Sequence, residues 1–315
     1  MDYLAWAEWY DIFYSAADPG DVEFYHGLCR ASGGPVLEIG VGTGRIALPL
    51  ARDGMEIVGI DLNEPMLKVA ERKALDVAPL SGSLKLIRAD MRKFDLKRQF
   101  PVVIIPARTL LLATTEEDQI YTLCCAASHL EPDGTLAFNL FYPDPEMLAD
   151  DPDEEFLLEV VEKADGGRYV LTAKNRFDTT NQLNHGVQIA EELDASGKVL
   201  RREELEVVVR YLYPDQVVSL CERTGLEVIG LWGDFEGAEV TEESDEIVVI
   251  AQHAARFQLA HHSQAPGRVG AAIDEVAHRV HLVAGRIDVQ LLEQALEFLA
   301  AALDVADEDA PLGGP

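Results

Sequence analysis

Short hydrophobic runs alternate with segments of helical periodicity along the first 142 residues. The runs are rich in β-branched residues and predict strands at 36–39, 56–60, 84–88, 102–105 and 135–141. The other segments predict helices, the first of them broken near 18–21, at 8–30, 44–54, 64–75 and 115–130. Continuous apolar strands that alternate with helices are typical of a parallel sheet buried on both faces.

The pattern changes at about residue 143. A polar connection with three prolines, PDPEMLADDPDEE, is followed by four predicted strands with hairpin turns between residues 156 and 212. The alternation of helix and strand resumes at Pro214, with a helix to about residue 224 and strands at 226–232 and 246–252. The four strands therefore predict an antiparallel insertion in an α/β domain.

These patterns divide the chain into an ordered set of parts. They are an α/β domain of residues 1–142 and 213–252, an antiparallel β insertion of residues 143–212, a linker of residues 253–270, a helical extension of residues 271–304 and a disordered acidic tail of residues 305–315. The apolar stripe of the extension has to bury itself, either on the body of the protein or in a homodimer, and we expect the homodimer.

Charge and cysteine content narrow the class of protein. The 315 residues carry a net charge of -30, from 26 basic and 56 acidic side chains, and such a surface repels the phosphates of nucleic acids. No apolar stretch is long enough to predict a membrane span, and the start MDYLAWAEWYD does not predict a secretory signal. The four cysteines lack C-x-x-C spacing, which indicates free thiols in the cytoplasm and no structural metal.

The segment VLEIGVGTGRIA joins the first predicted strand to a helix through a turn with three glycines. Such a turn lets a ligand approach the backbone closely, beside the free N–H groups of the helix. Gly40, Gly42 and Gly44 are spaced G-x-G-x-G, whereas a dinucleotide site has G-x-G-x-x-G and here has Arg45 at the sixth position. The match to a dinucleotide site is therefore incomplete.

An acidic residue stands at the end of each of the first three predicted strands. Glu38 precedes the glycine turn and suits an ammonium or sulfonium group better than a pyrophosphate, while Asp61 is placed to accept both ribose hydroxyls. Asp90 and Met91 follow the third strand and suit the amino group and the face of an adenine. Met66 is either a further contact of the adenine or a core residue. Together they predict a pocket for a cationic nucleoside without phosphates, and S-adenosylmethionine is such a molecule.

These segments resemble the motifs of the class I S-adenosylmethionine-dependent methyltransferases. VLEIGVGTGRIALPLA, VGIDLNEPML and RADMRKF match the first three motifs of that family, and the match extends over roughly residues 8–252. The resemblance implies an α/β fold with a Rossmann-like seven-stranded methyltransferase sheet. The antiparallel insertion after the fifth strand resembles the branch of sugar N-methyltransferases and glycine N-methyltransferase-like enzymes, in which the insertion covers the methyl acceptor. The helical extension lies outside the family core.

The resemblance also implies roles for residues outside the three motifs. It implies that Tyr10 and Tyr14 close over the cofactor and that Leu62 and Pro106 adjoin it. Arg108 follows the fourth strand, where an arginine would anchor a carboxylate or phosphate of the substrate. The expected cofactor is S-adenosylmethionine, with S-adenosylhomocysteine as product.

The general base is harder to predict. Tyr142, at the end of the fifth strand, and His185, in the insertion, are the candidates. The lack of an obvious base favours an amine, a carboxylate or an acidic hydroxyl as acceptor, so the sequence leaves open whether N or O of a small molecule is methylated. A non-catalytic cofactor-binding or assembly protein and a nicotinamide-dependent oxidoreductase are the alternatives.

Overall fold

The computed structural model describes residues 3–14, 20–77, 79–149 and 151–254. The predicted helical extension and acidic tail, and nearly all of the linker, lie outside these residues. Helices and strands alternate in the order predicted from the hydrophobic pattern.

The helices are short and mostly begin at identifiable caps. Their bounds are α1 Tyr3–Tyr14, α2 Asp21–Ser32, α3 Ala47–Arg52, α4 Glu64–Asp76, α5 Glu116–Ser128, α6 Pro145–Leu148 and α7 Pro214–Arg223, and a 3-10 turn spans Thr109–Leu112. Asn63 caps α4 by accepting a hydrogen bond from the Met66 N–H at 3.3 Å, and Thr115 caps α5 in the same way. The helical segment expected at 8–30 with a break near 18–21 is two helices, α1 and α2, as predicted. The helix expected from residue 44 begins at Ala47, because Gly44 has a φ of +80° and belongs to a turn.

The strands form two sheets. Their bounds are β1 Val36–Ile39, β2 Glu56–Asp61, β3 Ser83–Arg88, β4 Phe100–Ile105, β5 Leu130–Phe141, β6 Phe156–Glu162, β7 Arg168–Asp178, β8 Leu183–Leu193, β9 Val199–Arg210, β10 Leu226–Trp232 and β11 Glu246–His253. The large sheet has seven strands in the order β10-β11-β5-β4-β1-β2-β3, and the other has four in the order β6-β7-β8-β9. Strand β5 begins at Leu130, five residues before the strand predicted at 135–141.

The topology of the large sheet confirms the α/β, Rossmann-like prediction. Strands β1 to β5 are parallel to their neighbours within that set, and β11 runs antiparallel between β5 and β10. The order of strands reverses between β1 and β4, since the chain builds outward from β1 in one direction and then from β4 in the other. Ligands of open α/β sheets bind at the carboxyl ends of the strands beside such a point.

Helix α1 joins the antiparallel sheet to the α/β domain. Its buried aromatic residues Trp6, Trp9 and Phe13 pack in one cluster with Leu171, Ala190 and Leu205 of the antiparallel sheet. Burial of a side chain such as Phe13 contributes about 1.5–3 kcal/mol. Ala7 of the same helix packs on α4. The antiparallel sheet is therefore held over the carboxyl ends of the parallel strands through α1.

Candidate active site

A large cavity opens at the carboxyl ends of β1 to β5 and is covered by the antiparallel sheet. Its volume is about 1360 Å³, more than the roughly 300–1,000 Å³ of a pocket for one drug-sized ligand. The cavity therefore has room for two molecules side by side. Most of the residues predicted from the sequence line it, namely Tyr10, Tyr14, Gly40, Gly42, Asp61, Leu62, Met66, Asp90, Met91, Arg108 and Tyr142. The others, Glu38, Gly44, Pro106 and His185, do not line it.

The glycine turn forms the floor of the cavity between β1 and α3. Gly40, Gly42 and Gly44 have φ values of +78°, +52° and +80°, in the left-handed region that favours glycine. The N–H groups of Gly40 and Val41 donate to the Ile60 carbonyl at 2.8 and 3.0 Å, which ties the turn to β2. A Cβ on Gly40 would lie 2.4 Å from Cγ2 of Thr109, in the segment after β4. The glycine turn and the segment after β4 are thus in direct contact.

Asp61 holds the other side of the same turn. Its carboxylate accepts hydrogen bonds from the Gly42 N–H at 2.9 Å and from the Asn63 N–H at 2.7 Å. Burial raises the pKa of Asp61 above its ordinary value, against the opposing effect of these donors. Each oxygen has a further lone pair, so the carboxylate is fixed in orientation and remains able to accept hydrogen bonds from two adjacent hydroxyls.

Glu38 lies buried beneath the glycine turn, at the end of β1. Its Oε2 has no hydrogen-bond partner in the described part of the chain. Burial raises the pKa of this carboxyl group well above its ordinary value, although the nearby Arg45 guanidinium acts in the opposite direction. Arg45 itself is paired with the buried Asp21, with 2.8 Å between Nη1 and Oδ1. A buried carboxylate oxygen without a donor is suited to a cationic ligand group or a bound water.

Two tyrosines of α1 close one side of the cavity. The rings of Tyr10 and Tyr14 stack with centroids 4.4 Å apart, and Gln188 of the antiparallel sheet donates to the Tyr14 hydroxyl at 3.4 Å. Asp11, on the same helix, bonds both Thr43 of the glycine turn and Lys73 of α4. The position of the two tyrosines is therefore coupled to the turn itself.

Asp90 follows β3 and is clamped by an arginine. Arg92 donates from Nε to Oδ1 at 2.9 Å and from Nη2 to Oδ2 at 2.7 Å, and its Nη1 also reaches Asp118 at 3.1 Å. The hydrogen bonds from Arg92 lower the pKa of Asp90 to about 2. Asp90 is thus an ionised, oriented acceptor at the rim of the cavity, beside the apolar Met91.

Arg108 follows β4, which is separated by β1 and β2 from β3, the strand that Asp90 follows. It and Ala107 both adopt left-handed φ values, +60° and +54°, which are uncommon for residues other than glycine and are concentrated at functional sites. Its Nε donates to Oε1 of Glu246 at 2.9 Å, and its Nη2 donates to the same oxygen. The pairing between the two charges was not predictable from their separation along the chain.

The part of the cavity beneath the antiparallel sheet combines apolar walls with carboxylates. The walls include Leu112, Phe141, Phe156 and Leu158, and three acidic residues, Asp144, Glu159 and Asp245, also line this part. Arg88 and Arg92, which line the cavity at and after the end of β3, bond Glu64 and Asp90 respectively. The described lining residues thus contain paired cations and an excess of negative charge.

The remaining predicted residues lie around the cavity. His185 is exposed on β8 and does not line the cavity, whereas its neighbours Asn184 and Gly186 do. The structure therefore places His185 outside the cavity, in contrast to the expectation from sequence. The Pro106 carbonyl accepts from the Thr109 hydroxyl at 2.7 Å and so shapes the turn after β4. A Cβ on Gly44 would meet Leu48 at 3.1 Å, which assigns Gly44 to packing against α3.

Tyr142 lines the cavity directly after β5, as expected, and its N–H donates to the Asp245 carbonyl at 3.2 Å. Within the described ranges, no cluster of His, Cys, Asp and Glu has the arrangement of a metal site. No helix among the residues that the structure describes is long and apolar enough to span a membrane.

Comparisons with known proteins agree with this geometry. A family model described as a methyltransferase domain matches residues 36–134. The cypemycin N-terminal methyltransferase of a Streptomyces species is 27% identical over 252 residues, which cover 78% of this chain and 94% of that protein. The structure of the CcbJ methyltransferase from Streptomyces caelestis is 28% identical with a TM-score of 0.64, and covers 76% of this chain and 92% of that one. DesVI from Streptomyces venezuelae, at 19% identity, has the same fold with a TM-score of 0.61 over 79% of this chain and 98% of its own.

Proposed function

Since the chain is a class I S-adenosylmethionine-dependent methyltransferase, we propose that it transfers the methyl group to the amine nitrogen of a small-molecule acceptor. The observation that carries this proposal is the excess of carboxylates beneath the antiparallel sheet, where Asp144, Glu159 and Asp245 line the cavity. An amine that is protonated in solution is attracted to such a site, and an anionic acceptor is repelled.

The cofactor end of the cavity suits S-adenosylmethionine, which supplies a methyl group already activated by a sulfonium. The buried Glu38 has an unpaired Oε2 beneath the turn, and the absence of a Cβ at Gly42, whose nearest neighbouring atom would be 4.0 Å away, leaves the backbone accessible to a ligand there. Asp61 is oriented to hold the two ribose hydroxyls, and Asp90 with Met91 suits the adenine. These residues bind and orient the cofactor.

The acceptor end has to align a nitrogen lone pair with the transferring methyl group. Proximity and orientation of this kind supply about 7–11 kcal/mol of the barrier reduction in well-oriented reactions. An amine has to lose its proton before it attacks, and a carboxylate such as Asp144 or Asp245 can hold that proton or stabilise the ammonium that forms. The apolar part of the lining, which includes the buried Phe141, favours the neutral amine.

The comparisons support nitrogen as the acceptor atom. One relative that is matched over the greater part of both chains is named for N-terminal methylation of cypemycin. The covering antiparallel sheet favours an acceptor that fits within the cavity over the surface of a large partner.

Paired acceptors test the choice of nitrogen over oxygen. We would incubate the protein with S-[methyl-¹³C]adenosylmethionine and matched amine–hydroxyl pairs, 3-amino-3-deoxyglucose with glucose and alanine amide with lactamide, and detect methylation by mass spectrometry. We expect labelled methyl on the amine member of a pair and none on its hydroxyl counterpart. Equal transfer to the hydroxyl member would contradict the proposal.

The cofactor is tested separately by titration calorimetry with S-adenosylmethionine and with NADH. We expect binding of the first to be lost in Asp61→Ala, because two oriented acceptors are removed from the ribose position. Binding of NADH alone would contradict the assignment of the glycine turn.

A further inference from the structure

Among the residues that the structure describes, Arg108 is the cation that lines the acceptor end of the cavity. It forms an ion pair with Glu246. Nε and Nη2 of Arg108 both donate to Oε1 of Glu246, with 2.9 Å from Nε. The guanidinium carbon also lies 5.7 Å from the centroid of the Phe141 ring, within the range of a cation–π contact. The register of the sheet explains this arrangement, because Glu246 and Phe141 are direct partners on β11 and β5.

Glu246 is held rigidly in this position. Its side chain is 8% exposed, and its Oε2 accepts from Nδ2 of Asn139 at 2.8 Å. Asn139 in turn accepts from the Tyr25 hydroxyl at 2.9 Å, and this tyrosine is fully buried on α2. The carboxylate therefore has donors on both oxygens and cannot turn away from Arg108 without leaving a buried donor unpaired.

The consequence for the cavity is electrostatic. Arg108 alone would offset the charge of the three carboxylates beneath the antiparallel sheet and would offer a fork of donors to a phosphate or carboxylate. With Glu246 against it, the arginine contributes little net charge, and Asp144, Glu159 and Asp245 determine the sign of the potential. The guanidinium retains its Nη1 donors, which suit a neutral oxygen of an acceptor.

We propose that Glu246 is a specificity-determining residue, which positions Arg108 and cancels its charge so that the acceptor end excludes anionic molecules. This inference rests on the proposed function in assigning this end of the cavity to the acceptor. The sequence predicted instead that Arg108 anchors a carboxylate or a phosphate of the substrate. In the proposal, the buried Glu246 prevents Arg108 from binding such an anion.

The test uses glucose 1-phosphate as an anionic probe and the full-length protein saturated with S-adenosylhomocysteine. Titration calorimetry would measure binding of the probe to the wild type, to Glu246→Gln, to Arg108→Gln and to the double variant. We expect no saturable binding by the wild type, a gain in affinity of roughly tenfold or more in Glu246→Gln, and loss of that gain in the double variant.

Asp245→Asn is the matched control. It removes one negative charge at the neighbouring position of the cavity lining but leaves the pair between Arg108 and Glu246 intact. We expect it to bind glucose 1-phosphate less tightly than Glu246→Gln does. An equal gain in both variants would overturn the proposal, because it would reflect total charge instead of release of Arg108.

Two further results would overturn it. One is binding of glucose 1-phosphate by the wild type that is lost in Arg108→Gln, since Arg108 would then be an anion anchor. The other is a Glu246→Gln protein that binds S-adenosylhomocysteine normally but gains no affinity for the probe. Glu246→Asn is a second neutral variant that replaces Glu246→Gln if the latter does not fold. Failure of the wild type to bind S-adenosylhomocysteine would instead contradict the proposed function.

Discussion

Replacement of Gly40 by alanine tests the contact between the glycine turn and the segment after β4. The new Cβ would lie 2.4 Å from Cγ2, 2.7 Å from Oγ1 and 3.0 Å from Cβ of Thr109. Thr109 resists displacement, because its hydroxyl donates to the Pro106 carbonyl at 2.7 Å and its N–H donates to the same carbonyl at 3.1 Å. Gly42→Ala is the matched control, since the nearest atom to its Cβ would be 4.0 Å away.

The expected magnitudes differ because only one site has the clash. Gly40 and Gly42 both have positive φ, at +78° and +52°, and a non-glycine residue there costs about 1–2 kcal/mol. The overlap at Gly40 adds about 1–3 kcal/mol, as for overpacked cores. We therefore expect Gly42→Ala to lower the free energy of unfolding by about 1–2 kcal/mol and Gly40→Ala by about 2–5 kcal/mol.

Urea unfolding followed by circular dichroism would measure both variants, with the midpoint and the m-value compared with those of the wild type. A double-mutant cycle with Thr109→Ala isolates the clash, because this change removes the two atoms nearest to the new Cβ. We expect a favourable coupling free energy of at least about 1 kcal/mol between Gly40→Ala and Thr109→Ala.

Equal destabilisation by Gly40→Ala and Gly42→Ala would refute the reasoning. A cost of Gly40→Ala that Thr109→Ala leaves unchanged would do the same, because the contact would then carry no energy. Calorimetry with S-adenosylhomocysteine on the same variants would report whether the displaced Thr109 also disturbs the cofactor site.

Two further predictions concern charge. Folding raises the pKa of Glu38, so this carboxyl group lowers stability as the pH rises above its ordinary value near 4.5. Glu38→Gln should therefore be more stable than the wild type at pH 7 but bind S-adenosylmethionine more weakly, and an unchanged difference in urea midpoint at pH 4 would contradict this. Asp90 has its pKa lowered to about 2 by Arg92, so its contribution is complete above pH 3.8 and is lost as the pH falls towards 2. The stability difference between wild type and Arg92→Leu should be constant from pH 7 to 5 and shrink below pH 3.8, and a difference that persists at pH 2 would argue against the pairing.

Local patterns determined most of the fold. The run VLEI predicted β1 with its observed bounds of Val36–Ile39, because four consecutive apolar or buried positions followed by glycine are compatible with a central parallel strand. The turn after β1 was likewise predicted from glycine at alternate positions, and Gly40, Gly42 and Gly44 all have positive φ in the structure. Each of these features depends on residues close together in the sequence.

The cofactor end of the cavity was also largely predictable. In a parallel sheet, strand ends that follow one another along the chain meet at one edge, so Asp61 and Asp90 were expected on the same side as the glycine turn. Sequence could not show that Arg92 clamps Asp90 or that Glu38 lies beneath the turn with an unpaired oxygen. Both depend on the rotamers that packing selects.

The acceptor end required the tertiary structure. Glu246 is at the start of a predicted strand, where an acidic residue does not by itself indicate a functional role. It contacts Arg108 because β11 lies between β5 and β10 in the sheet. His185 was predicted to face the cavity but is exposed, although Asn184 and Gly186 on either side of it line the cavity. The sequence by itself determined the elements, the glycine turn and the class of cofactor, since these follow from periodicity and local spacing. Only the tertiary structure decided which charges meet beneath the antiparallel sheet, since strand order and register bring together residues more than one hundred positions apart.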